Sequence, residues 1–141
     1  MRVSFEFAIK GPPFSVNSAK SQPRKHNNWK RTVGNAAKEQ WNRDSPPGYV
    51  LPLDMPLEVT ITTYFTALQR DVDNVIKPIL DGMKGAIYVD DAEIYKVTSQ
   101  RYNLNVPVVI EGPSLLLAQA LNANDELVYV ELSWELSEES L

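Results

Sequence analysis

Between Arg70 and Ile94 the chain reads RDVDNVIKPILDGMKGAIYVDDAEI, and five of these twenty-five residues are aspartates. They fall as Asp71 with Asp73, then Asp81, then Asp90 with Asp91, and Lys77 stands four residues beyond Asp73. Carboxylate oxygens are hard ligands, and with no cysteine and a single histidine in the chain they suit Mg²⁺ rather than zinc or copper. A Mg²⁺ site beside a lysine suits phosphate-ester chemistry. The ion activates water and neutralises transition-state charge, and the ammonium stabilises the phosphoryl or leaving oxygen. On an extended segment Asp71 and Asp73 share a face, and a helix and short strand can return Asp91 to where that helix began. Ordinary roles stand beside this one: a helix cap at Asp73, an exposed helix position at Asp81, a polar turn at Asp90 and Asp91. Only the combination points to chemistry.

The elements that must position these groups are readable from periodicity. Arg2 to Ile9 alternates as a strand, and Gly11-Pro12-Pro13 ends it before a polar loop through Asn28. Trp29 to Trp41 has helical spacing, with Asn27 or Asn28 as its cap, and the proline-rich stretch Asp44 to Pro56 is an extended connector. Leu57 to Phe65 is rich in β-branched residues and reads as a strand. A helix capped by Asp71 or Asp73 runs to about Lys84 and stops at Gly85; Pro78 requires that it kink or start late. Ile87 to Val89, Glu93 to Tyr102, Val106 to Ile110 and Leu127 to Leu136 read as strands, and Ser114 to Leu121 as a short helix. The order implies an α+β fold with helices on one mixed sheet.

At 141 residues, with 43% apolar and 23% charged side chains, the chain is expected to form one globular domain, residues 1–141. No apolar run is long enough to span a bilayer and the first residues hold no signal-peptide core, so a cytoplasmic protein without a membrane partner is expected. The net charge of −4 is unevenly placed. Lys10 to Arg43 carries eight basic residues against Glu39 alone, whereas Glu111 to Leu141 carries seven acids and no base. The basic arm suits phosphate, through Lys20, Arg24, Lys25, Lys30 and Arg31, with Asn17 as a backbone contact. The alternatives are two solvated faces attracting one another, or an acidic tail folded over the arm as a mimic of DNA.

The acidic stretch resembles the signature of the RusA-type Holliday-junction resolvases, small Mg²⁺-dependent endonucleases of bacteria and their phages. In that family Asp-x-Asp-Asn is followed by a lysine, a Leu-Asp pair and a Tyr/Trp-x-Asp-Asp turn. Here these are Asp71-Val72-Asp73-Asn74, Lys77, Leu80-Asp81 and Tyr88-Val89-Asp90-Asp91, gap-free over twenty-one residues. Pro12-Pro13-Phe14-Ser15-Val16-Asn17 is similar to the family's Pro-Pro-Ser-x-Asn, interrupted by Phe14. The resemblance implies that Asp71, Asp73 and Asp91 are the metal-binding catalytic carboxylates, with Asp90 a further candidate ligand, and that Lys77 is an essential basic residue. It also implies Mg²⁺ as cofactor, with Mn²⁺ as a substitute, and a homodimer, intertwined or two-fold, that cuts opposed strands of a four-way DNA junction. The tail beyond Tyr102 is longer and more acidic than the family's, and the sequence pI of about 5.0 departs from its basic members. The family's basic run before Asp-x-Asp is reduced here to Arg70, a role that Phe65 could share.

The remaining singled-out residues read as structural. Trp29 and Trp41 are placed in the core rather than as base-stacking platforms, His26 in a solvated loop, and Tyr88, Tyr95 and Tyr102 on the sheet. Two rival readings remain. A nucleotide-sugar transferase using Asp-x-Asp would need a nucleotide-binding βαβ unit that is not evident. A non-catalytic DNA-binding or interaction relative would not need Asp71, Asp73, Asp91 and Lys77 together.

Overall fold

The computed structural model describes residues 1–67, 70–106, 110–123 and 125–136. Alternation along β1 (Arg2–Lys10) turns Phe5, Phe7 and Ile9 into the core. It pairs antiparallel with β4 (Leu127–Glu135), which is antiparallel in turn to β2 (Leu57–Phe65). Strand β3 (Ile94–Asn103) lies parallel to β2, completing one four-stranded sheet in the order β1-β4-β2-β3. The last strand of the chain is thus an inner strand. With helices α1 (Pro23–Arg43), α2 (Ile76–Met83) and α3 (Leu115–Asn122), the expected α+β class with a single mixed sheet is borne out.

Helices α1 and α2 cover one face, where Val33, Ala37, Ile79 and Met83 meet Phe7, Ile61, Val130 and Leu132. Each large apolar side chain so buried is worth about 1.5–3 kcal/mol. Trp41 is buried and Trp29 packs half-buried against the same core, as expected. On the opposite face α3 brings Leu117 onto Tyr64 and Leu127.

Neighbouring parallel strands cannot be joined by a hairpin, so the chain from Phe65 must leave the sheet and return before Ile94. That crossover is the acidic stretch. Its helix starts late, at Ile76, which puts Pro78 in the first turn, where its missing N–H costs no intrahelical bond. Neither Asp71 nor Asp73 caps it; both lie ahead of Val75, which takes the cap position without a side-chain bond. Gly85, at φ +83, turns the chain after the helix, as expected.

Three local expectations are corrected. Helix α1 begins at Pro23, not Trp29, because proline fits a first helical position and Phe14 stacks on His26 at 5.2 Å, packing the first turn. Asn27 and Asn28 are therefore helical rather than caps. Ile87 to Val89 is no strand: Tyr88 makes isolated bridges to Leu53 and Lys84, and Ile87 and Tyr88 are buried beneath α2. The expected strand Val106 to Ile110 falls mostly outside the described residues; Val106 itself lies in an exposed bend.

Helices α1 and α2 meet backbone to backbone. A Cβ at Gly82 would stand 2.8 Å from the Lys30 carbonyl oxygen and 2.8 Å from Val33 Cβ, and one at Gly34 2.8 Å from the Gly82 carbonyl oxygen. Alanine in a helix interior normally gains about 1 kcal/mol over glycine. Here Gly82→Ala is expected to destabilise the fold by about 1–3 kcal/mol instead, because backbone must move apart. Urea denaturation checks it, and a midpoint equal to or above wild type would contradict this contact.

Candidate active site

Asp71 and Asp73 stand at and in the turn before α2, Asp81 lies on α2, and Asp90 and Asp91 follow it at the start of a short helical turn. Lys77 Nζ lies 2.7 Å from Asp81 Oδ1 and 3.4 Å from Asp91 Oδ2. Lys84 Nζ lies 3.3 Å from Asp90 Oδ1 and 3.9 Å from Asp91 Oδ2. The hydroxyl of Tyr88, a fully buried ring, is 2.7 Å from the Leu80 carbonyl oxygen and 3.1 Å from Asp91 Oδ1. Asp91 is therefore clasped on one oxygen by a phenol and faced on the other by two ammonium groups.

These contacts set the charge states. The hydrogen bond to Asp81 raises the Lys77 ammonium above its ordinary value, against a smaller burial effect. Burial, then the charge of Asp91, pushes the Tyr88 phenol far above its ordinary value, so the hydroxyl stays a donor. The hydrogen bond from Lys84 holds the exposed Asp90 carboxyl below its usual 3.8. A short helical turn, Asp91–Glu93, follows, with Glu93 accepting from the Asp90 amide in a capping box.

Asp71 and Asp73 stand in a turn rather than on an extended segment. Asp71 Oδ1 lies 3.6 Å from Arg101, whose guanidinium also donates to the Arg70 carbonyl at 2.9 Å. Ser99 donates to the Val72 carbonyl at 2.5 Å. Asp73 is exposed and its side chain makes no hydrogen bond or ion pair among the described residues. The structure thus brings Lys77, Asp81, Asp90 and Asp91 together and leaves Asp71 with Arg101. Among the described residues no three His, Cys, Asp or Glu side chains form a group that could hold a metal ion. In donor chemistry the aspartates fit a hard divalent cation, and Asp91 already stands where positive charge collects.

The N-terminal motif joins this turn. Pro13, Phe14 and Ser15 are buried, and the Val16 amide donates to the Asn74 carbonyl at 2.8 Å, which places exposed Asn17 beside the Asp-x-Asp-Asn segment. Lys20, Arg24, Lys25 and Arg31 are exposed, on the turn before α1 and along its first half, and Lys30 is half-buried. Among the described residues none of these cations pairs with an acid. Arg70 is half-buried, its Nε enclosed without a partner among the described residues.

The acidic C-terminal segment does not lie on the basic arm among the described residues. Glu135 pairs with Arg2 and the N-terminal amine. Glu126 Oε1 accepts from the Thr66 amide at 2.8 Å, the Thr66 hydroxyl at 2.7 Å and the Ala67 amide at 2.9 Å. Asn105 donates to the Thr66 carbonyl at 3.0 Å. The connector into Asp71 is thereby tied at its start by Glu126 and Asn105, and at its end by Arg101 and Ser99.

Sequence reading missed the roles of Asp81, Tyr88, Lys84, Arg101 and Glu126. Tyr88 underlies Asp91 instead of packing on the sheet, Tyr95 is exposed, and Tyr102 stacks on Tyr64 at 5.8 Å. The spacing of Lys77 and Asp81, one helical turn, was a usable signal. The contacts of Arg101 and Glu126 span 31 and 60 residues and had none.

A family model described as endodeoxyribonuclease RusA matches residues 14–111. That is more than half of the chain, and the chain belongs to the RusA endodeoxyribonuclease family, a family of nucleases acting on Holliday junctions. No curated protein matches it in a sequence comparison. No helix among the described residues is long and apolar enough to cross a membrane.

The Glu126 contacts give a measurement independent of any activity. Glu126→Ala leaves two amides without their acceptor and is expected to speed hydrogen exchange at Thr66 and Ala67 by an order of magnitude or more, each such bond to a charged acceptor being worth about 1.5–3 kcal/mol. Glu126→Gln, which keeps an acceptor oxygen, should lie between. Unchanged exchange in the alanine variant would show that these amides are held otherwise.

Proposed function

We propose that this chain is a Mg²⁺-dependent, structure-specific endonuclease that resolves four-way DNA junctions by paired symmetric nicks, acting in recombination and repair in the cytoplasm. The observation that carries this reading is the crossover itself. One connector between parallel strands gathers Lys77, Asp81, Asp90 and Asp91 over the Tyr88 hydroxyl, and ties the Asp71–Asp73 turn to the sheet through Ser99 and Arg101.

Asp71, Asp73 and Asp91, with Asp90 at the margin, would hold the ion, Mn²⁺ serving as a substitute. When bound, the ion supplies an activated water and neutralises charge on the phosphate. The chain's own groups do the rest. Tyr88 fixes the orientation of Asp91, because a phenol that remains protonated keeps one carboxylate oxygen engaged. Lys77, held charged by Asp81, stands where it can neutralise the scissile phosphate or the leaving oxygen. Asn17, Lys20, Arg24, Lys25, Lys30 and Arg31 line the approach from α1 and bind backbone phosphates, which fix register without reading sequence. Arg70, whose carbonyl is held by Arg101, adds a DNA contact ahead of Asp71. A homodimer matches the two-fold symmetry of a four-way junction and gives two sites for paired nicks.

Cleavage of a synthetic four-way junction in Mg²⁺ tests the reading. Wild type is expected to cut opposed strands, and Asp73→Asn to lose on the order of 10²–10³-fold in rate while still binding the junction. Tight binding without cleavage by wild type would favour the non-catalytic relative, and neither binding nor cleavage would sink both. Combined Arg24→Gln, Lys25→Gln and Arg31→Gln is expected to weaken junction binding and flatten its salt dependence, by a slope of about 0.9 for each duplex phosphate no longer neutralised. An unchanged slope would place the DNA on another surface.

A further inference from the structure

We infer that Asp81 is a positioning residue: it holds the Lys77 ammonium beside Asp91 and keeps it from closing on that carboxylate. The inference rests on the reading of Lys77 and Asp91 as active-site groups. Two carboxylates face one ammonium, and the shorter contact is to Asp81, 2.7 Å against 3.4 Å. Asp81 is the better placed anchor, its side chain 25% exposed where that of Lys77 is 58% exposed.

The pair makes little sense as a helix stabiliser. A lysine in the first turn of α2 and an aspartate in its last both oppose the helix dipole. Acid before base is also the favourable order at this spacing, and here the base comes first. The position of Asp81 is nonetheless firmly built. The neighbouring Leu80 carbonyl accepts from the buried Tyr88 hydroxyl at 2.7 Å, and Gly82 is wedged against α1. The same Tyr88 hydroxyl lies near Asp91 Oδ1, so Asp91 Oδ2 is the edge that faces the ammonium groups, with Lys77 held at a long 3.4 Å. Without Asp81, Lys77 would be free to shorten that 3.4 Å contact into a full ion pair, cancelling the charge of Asp91 along with its own. Lys84, at 3.9 Å from the same oxygen, is already drawn aside by Asp90 at 3.3 Å. Asp90 and Asp81 thus do the same job for the two lysines.

The test is a double-mutant cycle on junction cleavage, with folding of each variant verified by its melting temperature. Asp81→Asn is expected to lower the turnover number on the order of tenfold with little change in KM, and to have no further effect in a Lys77→Met background. Asp81→Glu should recover part of the loss. An equal loss in both backgrounds, or no loss in wild type, overturns the inference. Lysine-ammonium NMR reads the same contact without catalysis. The Lys77 NH₃⁺ signal should shift in Asp81→Asn, and only in that background respond to Asp91→Asn, because the ammonium then takes Asp91 as its main partner. If wild type does not cleave junctions, the nuclease reading falls while the NMR comparison still decides whether Asp81 holds Lys77. An ammonium signal unchanged by Asp81→Asn overturns the hold.

Discussion

The approach of α1 to α2 at Gly34 and Gly82 governs the geometry of the sheet face that the two helices cover. A single added Cβ at either position would stand 2.8 Å from backbone oxygen, so the separation of the two helices is set by main chain rather than by adjustable side chains. Asp81 flanks Gly82 in sequence, and Lys77 lies little more than one turn earlier. On the partner helix the carbonyl at the contact belongs to Lys30, beside Arg31 and a turn beyond the basic first turn. The contact therefore fixes how far the cationic surface stands from the carboxylates. Protein interiors transmit such constraints because they are close-packed.

Parallel pairing of β2 with β3 supplies the second constraint. It obliges the chain to cross over, and it places the two carboxylate-bearing ends of the crossover next to the strands they join. The side chains that tie the connector come from elements on either side: Ser99 and Arg101 on β3, Asn105 just beyond it, Glu126 just before β4. The described residues so tied, Thr66, Ala67, Arg70 and Val72, give up backbone freedom on folding.

The Asp-x-Asp pair, Lys77 and Asp91 stand out in the sequence as candidates because residue type at fixed spacing is what marks them there. So do β1, β2 and β4, whose alternation is strong. The start of α1 is hidden because Arg24 to Asn28 carries no apolar period, and what packs that turn is the distant Phe14 ring on His26. Ile87 to Val89 has strand-like composition, but burial under a helix accounts for the same apolar residues. Asp81 reads as a surface position because a one-turn spacing shows that two groups can meet, not which of two acids a lysine prefers. Arg101 and Glu126 act across the fold, and nothing local distinguishes them from solvated charges.

The acidic balance of the chain, with a pI near 5.0, does not oppose a phosphate ligand once the charges are placed. Screening at physiological ionic strength confines the influence of an exposed charge to about 8 Å, so local arrangement matters more than the net sum. Glu58 is neutralised by Arg2 and Lys96, Glu135 by Arg2, and Glu126 is engaged by two amides and a hydroxyl. These acids are spent on cohesion between strands and connector. Lys20, Arg24, Lys25 and Arg31, by contrast, are left without acidic partners among the described residues, on and just ahead of the helix that Gly34 locks against the site. Among the described residues several acids are thus paired where the sheet is built, while the cations of α1 and the turn before it have no acidic partner, a distribution that the net charge does not show.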